Sequence, residues 1–75
     1  MRTVILRDDH IKLGQALKLA GLVDSGVEAK IAIQDGEALV NGQVDERRGR
    51  KLYSGDIVEF RGEKIRIEKQ AGEPL

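Results

Sequence analysis

Residues 25–42 read SGVEAKIAIQDGEALVNG, and they contain a helix start, a helix stop, a strand and a turn in that order. A serine followed three positions on by a glutamate, as Ser25 is by Glu28, has the spacing of a capping box, so a helix is predicted to begin at Ser25. Ala29, Ala32 and Ile33 supply its buried stripe, Val27 and Ile31 are expected to widen that stripe, and Gly36 ends it. The apolar period then falls to two. Ala38-Leu39-Val40 reads as a strand, and Asn41-Gly42 suits a type I′ hairpin, whose two central residues both need positive φ.

Upstream of this stretch, Thr3-Val4-Ile5-Leu6 is a β-branched run that reads as a strand or an extended arm, ending at Asp8-Asp9-His10. From Ile11 the spacing becomes helical. Leu13, Ala16, Leu17 and Ala20 fall at i, i+3, i+4 and i+7, and Gly21 suits a left-handed cap. Too few residues separate this helix from the next for the two to diverge, so a helical hairpin is expected. Downstream, Gln43-Val44 begins the return strand and residues 46–51 bulge out before Leu52-Tyr53. Ser54-Gly55-Asp56 turns the chain into a strand at Ile57-Val58-Glu59-Phe60, and Arg61-Gly62-Glu63 makes another turn. Lys64 to Lys69 alternates, with Ile65 and Ile67 facing inward. The predicted fold class is α+β, a two-helix hairpin packed on a small, mainly antiparallel sheet of about four to five strands. Residues 1–70 are expected to form a single domain and residues 71–75 a disordered tail.

Composition narrows the functional classes. The 75 residues include no cysteine, which rules out disulfides, thiolate metal sites and cysteine nucleophiles. No apolar run approaches the roughly 18 residues of a membrane span, and the N-terminus has no signal-like stretch, so a cytoplasmic protein is expected. Thirteen basic and thirteen acidic residues cancel, but unevenly along the chain. Residues 1–45 are mildly acidic. Arg47, Arg48, Arg50 and Lys51 face only Glu46 within residues 46–51, which concentrates positive charge where a phosphate backbone could meet it. Three of the four are arginines, whose planar fork binds phosphate bidentately.

Other chemistries find weaker support. Asp8-Asp9-His10 invites a metal reading, yet consecutive residues rarely converge on one ion and a closed site needs about four ligands. Ser25 and Ser54 would depend on the sole histidine, His10, for a base. The nine glycines lie scattered at turns rather than in a phosphate loop. No catalysis and no cofactor are therefore expected. Tyr53 and Phe60 are the only tyrosine, phenylalanine or tryptophan residues, too few for a row of stacking rings. Phe60 is expected in the core; Tyr53, next to the basic loop, is a candidate to stack on a base, although a half-buried strand position is the commoner role for such a tyrosine, and phosphate and shape contacts are expected to dominate recognition.

The order of these signals resembles the RNA-binding domain family named after ribosomal small-subunit protein four, also called the αL RNA-binding motif. The resemblance spans about residues 11 to 60. Lys12-Leu13, Ser25, Ala29, Lys30, Gly36, Val40-Asn41-Gly42 and Gly55-Asp56 fit the family pattern, while Gly14 stands where aspartate is usual and Gly26 where arginine is usual. The chain looks like the short, free-standing bacterial branch. The resemblance implies binding of structured RNA, ribosomal or transfer RNA, with the ribosome or a ribosomal precursor as one setting and a monomeric protein with no membrane partner. The RNA-binding residues expected are Arg47, Arg48, Arg50 and Lys51, a loop richer in charge than the family demands, joined by Lys12, Lys18 and Lys30 as individually weaker candidates on the helices. Two alternatives stay open: a protein–protein adaptor with a basic loop, and a ubiquitin-like carrier, although Gly72-Glu73-Pro74-Leu75 lacks the C-terminal diglycine such a carrier uses.

Overall fold

A computed structural model describes residues 1–70, and the tail expected at 71–75 lies outside them. The elements are β1 (Arg2–Leu6), β2 (Ile11–Lys12), α1 (Leu13–Leu19), α2 (Gly26–Gln34), β3 (Ala38–Val40), β4 (Gln43–Val44), β5 (Lys51–Leu52), β6 (Ile57–Phe60) and β7 (Glu63–Lys69). Five strands form one sheet in the order β1-β7-β6-β3-β4, and β2 pairs with β5 in a separate two-stranded ribbon. The β1–β7 pairing is parallel, while the other ladders are antiparallel.

Side chains alternate across this sheet as strand geometry requires. Val4, Leu6, Ala38, Val40, Val58, Phe60, Ile65 and Ile67 are buried on one face, where Leu13, Ala16, Leu17, Ala29, Ala32 and Ile33 of the helices meet them. Burying each large aliphatic or aromatic side chain contributes about 1.5–3 kcal/mol. The opposite face carries Thr3, Ile5, Lys64 and Arg66, all exposed. Both helices end in the same way: the amides of Leu22 and Glu37 donate to the carbonyls of Leu17 and Ala32, and those of Gly21 and Gly36 to Lys18 and Ile33. That is the double bond pattern of a Schellman cap. Asn41 and Gly42 have φ of 52° and 85°, as the predicted hairpin requires.

The structure corrects three details. Val27 and Ile31 are 68% and 56% exposed, because at 100° per residue they lie opposite the Ala29, Ala32 and Ile33 stripe, and a helix on one face of a sheet buries one stripe only. The first helix starts at Leu13 rather than Ile11, since Ile11 and Lys12 are drawn into the ladder with Leu52 and Lys51; Ala20 is its half-buried C-cap. At the second helix Ser25 Oγ accepts from the Glu28 amide at 3.1 Å as expected, but the Glu28 carboxylate accepts from the amide of Asp24, at 3.0 Å, instead of that of Ser25.

Candidate nucleic-acid interface

The basic loop is built around an acid. Asp45 is 7% exposed, and its carboxylate accepts from the Arg47 amide at 3.0 Å, from Arg47 Nε and Nη2 at 3.0 and 2.9 Å, and from Arg50 Nη1 at 2.6 Å. The Arg47 guanidinium, opposed by some desolvation and helped by Arg50, holds the Asp45 carboxyl well below the usual carboxylate range. The same contact raises Arg47 above its ordinary value. Two of the four loop cations are thus partly matched within the fold, although the Arg47 side chain remains 72% exposed and that of Arg50 33%.

This anchoring sets the path of the backbone. The carbonyl of Arg47 accepts from the Arg50 amide at 3.1 Å, closing a tight turn. The carbonyls of Arg48 and Arg50 then accept from the amides of Gly14 and Leu13 at 3.1 and 2.8 Å, so the loop caps the first turn of α1. A side chain at position 14 would place its Cβ 2.8 Å from Arg48 Cγ. Glycine in place of the family's usual aspartate is therefore what lets the Arg48 stem lie against α1.

The β2–β5 ribbon continues from the same contact. Lys12 lies directly opposite Lys51, and Ile11 opposite Leu52. The Leu13 amide's bond to the Arg50 carbonyl sets those two residues at a hydrogen-bonding position of the ladder, so the alternation makes Lys12 and Lys51 a non-bonded pair, the kind with Cα atoms only about 4.5 Å apart. Like charges opposite each other disfavour a ladder. Both lysines are exposed, with no ion-pair partner among the described residues.

The remaining cations divide the same way. Arg2, Arg61, Lys64, Arg66 and Lys69 each lie within 4.0 Å of a carboxylate. Arg7, Lys18, Lys30 and Arg48 do not, among the described residues. Of the residues singled out from the sequence, Arg48, Lys51 and Lys12 come together at the start of α1, and Arg47 and Arg50 are held beside them on Asp45. Lys30 stands apart on the exposed side of α2. Lys18 lines an open groove between β1 and α1 with Arg7, His10, Gln15 and Leu19. Sequence reasoning passed over Arg7, a lone cation beyond a strand, and Asp45, which it counted with the acidic half. A carboxylate two residues from one arginine and five from another was the available signal.

A protein-family model described as "S4 domain" matches residues 4–68, most of the chain. The chain belongs to the S4 domain family. It is 56% identical over 54 residues to a protein of Bacillus subtilis named probable ribosome maturation protein RlbA, covering 72% of this chain and 76% of that one. It is 40% identical over 58 residues to the putative RNA-binding protein YbcJ of Escherichia coli, covering 77% of this chain and 83% of that one. The solution structure of YbcJ from E. coli, described as revealing an αL motif involved in RNA binding, superposes with a TM-score of 0.71 at 38% identity, over 91% of this chain and 87% of YbcJ. The α+β architecture of this S4 domain, two helices on a mixed five-stranded sheet beside a two-stranded ribbon, is that of the αL motif.

Proposed function

We propose that this S4 domain binds folded RNA without catalysing a reaction, and that the start of α1 with the loop capping it is the phosphate-binding site. The observation that carries the reading is the Lys12–Lys51 pair: two like charges directly opposite each other in the ladder, with Arg48 against the same helical turn and no carboxylate within 4.0 Å of any of the three among the described residues. A bound phosphate would offset the repulsion that the fold leaves in place. Arg47 and Arg50 contribute beside them, with their charge tempered by Asp45. The names carried by the Bacillus and E. coli relatives support RNA as the ligand and favour ribosomal over transfer RNA. Such contacts position an RNA without reading its bases.

Filter binding of a ribosomal RNA fragment across a salt series tests this. Each phosphate contact adds roughly 0.7–0.9 to the slope of log affinity against log salt. Replacing Lys12, Arg48 and Lys51 together by alanine is expected to flatten that slope by about 2 to 3. The Arg47 and Arg50 double alanine variant should flatten it less. Coincident curves for the triple variant and the wild type would move the site to Arg7, Lys18 and Lys30. Failure of the wild type to bind at low salt would return the adaptor reading.

A further inference from the structure

We infer that the outer face of the β2–β5 ribbon holds one unpaired nucleotide, with its base stacked on the Tyr53 ring and its phosphate on Lys12 and Lys51. This rests on the RNA-binding reading and deepens it, by naming which part of a folded RNA the site takes. The ladder pairs Lys12 with Lys51 and Ile11 with Leu52, so one step further the same register sets His10 opposite Tyr53. Their rings do meet there, with centroids 6.0 Å apart and planes inclined by 50°. Side chains two apart on a strand share a face. His10 and Lys12 therefore lie on one side of the ribbon with Tyr53 and Lys51, while Leu52 is buried on the other.

The fold leaves Tyr53 open to solvent. Its side chain is half in water, in a residue 50% exposed, beside the fully buried Leu52, and its hydroxyl has no hydrogen-bond partner among the described residues. His10, itself half-buried, braces one part of the ring and leaves the rest open. A large ring held still by a neighbour, with a polar edge and an open face, is what a nucleobase stacks on. Every base has such a face, so the contact tolerates any sequence. The step from His10 and Tyr53 to Lys12 and Lys51 is about 6.5 Å along the ribbon, a reach comparable to that from a base to its own phosphate. A base stacked between neighbours inside a helix cannot present its face to a side chain, so the ribbon selects loops, bulges or ends. A single stacking contact at Tyr53 needs no row of rings, and the half-buried position expected for this tyrosine is not what the fold gives, since Tyr53 is 50% exposed and meets only the His10 ring.

Tyr53 is the only tyrosine and the chain has no tryptophan, so the protein's own emission reports on this ring alone. Two RNAs without fluorescent labels serve as probes at one low salt concentration: a hairpin with an unpaired loop, and a blunt, fully paired duplex of the same length. The hairpin is expected to quench Tyr53 emission as it binds, and the duplex to bind without quenching it. Tyr53→Leu should weaken hairpin binding about ten-fold or more and leave duplex binding unchanged, whereas Tyr53→Phe should bind both as the wild type does. If Tyr53→Leu does not fold, the emission of the wild type decides alone. Unchanged emission on hairpin binding, or equal affinities of wild type and Tyr53→Leu for the hairpin, would overturn the stacking contact. If binding still weakened with salt in that case, the phosphate site would stand without it; binding of neither RNA would overturn both.

Discussion

The β6–β7 turn and the β2–β5 ribbon each hold a cation where two strands meet, and they treat it in opposite ways. At the turn, Arg61 has φ of 49° beside Gly62 at 83°, a left-handed backbone that a long side chain seldom adopts. Its guanidinium donates to both carboxylate oxygens of Glu37 at 2.8 and 3.1 Å, approaches Glu28 at 3.6 Å and lies over the Phe60 ring at 4.8 Å. Arg61 thereby holds the carboxyl of Glu37 below its ordinary value. At the ribbon, Lys51 faces Lys12, and neither has an ion-pair partner among the described residues. One region has its charge matched by nearby carboxylates, and the other has two facing charges with no ion-pair partner among the described residues. Binding surfaces are recognised less by how many cations they carry than by which cations the fold leaves unmatched.

Asp45 lies between these two regimes, and removing it should have the largest effect. Asp45→Ala is expected to destabilise the fold by about 2 kcal/mol, since it deletes several charge-assisted hydrogen bonds and frees the loop from α1. The acid limb of the stability curve should change with it. A carboxyl whose folded pKa is depressed stabilises fully above its unfolded value, about pH 4, and loses that contribution as the pH falls through the folded value. Urea unfolding of wild type and Asp45→Asn at pH 6 and pH 3 should therefore show a gap that narrows in acid. A constant gap would mean that Asp45 acts by packing rather than by charge.

Lys51→Glu reverses the ribbon's logic with a smaller energetic effect. It replaces a like-charge pair by an opposite one, and is expected to raise stability by about 0.2–1 kcal/mol while weakening RNA binding at low salt at least ten-fold. Thermal unfolding and filter binding on the same preparation read both quantities. A variant less stable than wild type would show that Lys12 and Lys51 do not oppose each other in solution.

Arg61→Gly should have the smallest effect. The loss of exposed ion pairs is offset by relief of the left-handed backbone, so the melting temperature is expected to stay close to that of the wild type, with Arg61→Ala lower than both. RNA affinity should be unchanged in each. A large fall in affinity for Arg61→Gly would show that the β6–β7 turn also touches RNA and that the contrast between the two regions is wrong.

Local chemistry made much of this legible. Ser25, Gly36, Asn41-Gly42 and the alternation through Ile65 and Ile67 act within a few residues of themselves, so the elements they start, end or pattern can be read in a line. Val27 and Ile31 show where that reading stops: they share a helix with the buried stripe but face away from it, and composition does not say which side meets the sheet. The candidate site was legible as a concentration of charge at residues 47–51, with Lys12 at a position that fits the family pattern. That Arg47 and Arg50 share Asp45, and that Arg48 lies on Gly14, was not.

The sequence by itself determined the order of the two helices and the main sheet strands, the two helix C-terminal ends, the Asn41-Gly42 hairpin and the segment where positive charge gathers, because each depends on backbone preferences and side chains close together in the chain. Only the tertiary structure decided that residues 10–12 run beside 51–53, which sets Lys12 against Lys51 and His10 against Tyr53. The segments are some forty residues apart, and their register follows from the loop carbonyls that cap α1 and from Leu52 entering the core. Pairing between distant segments is chosen by packing and by the need to satisfy buried amides, and neither acts until the chain has folded.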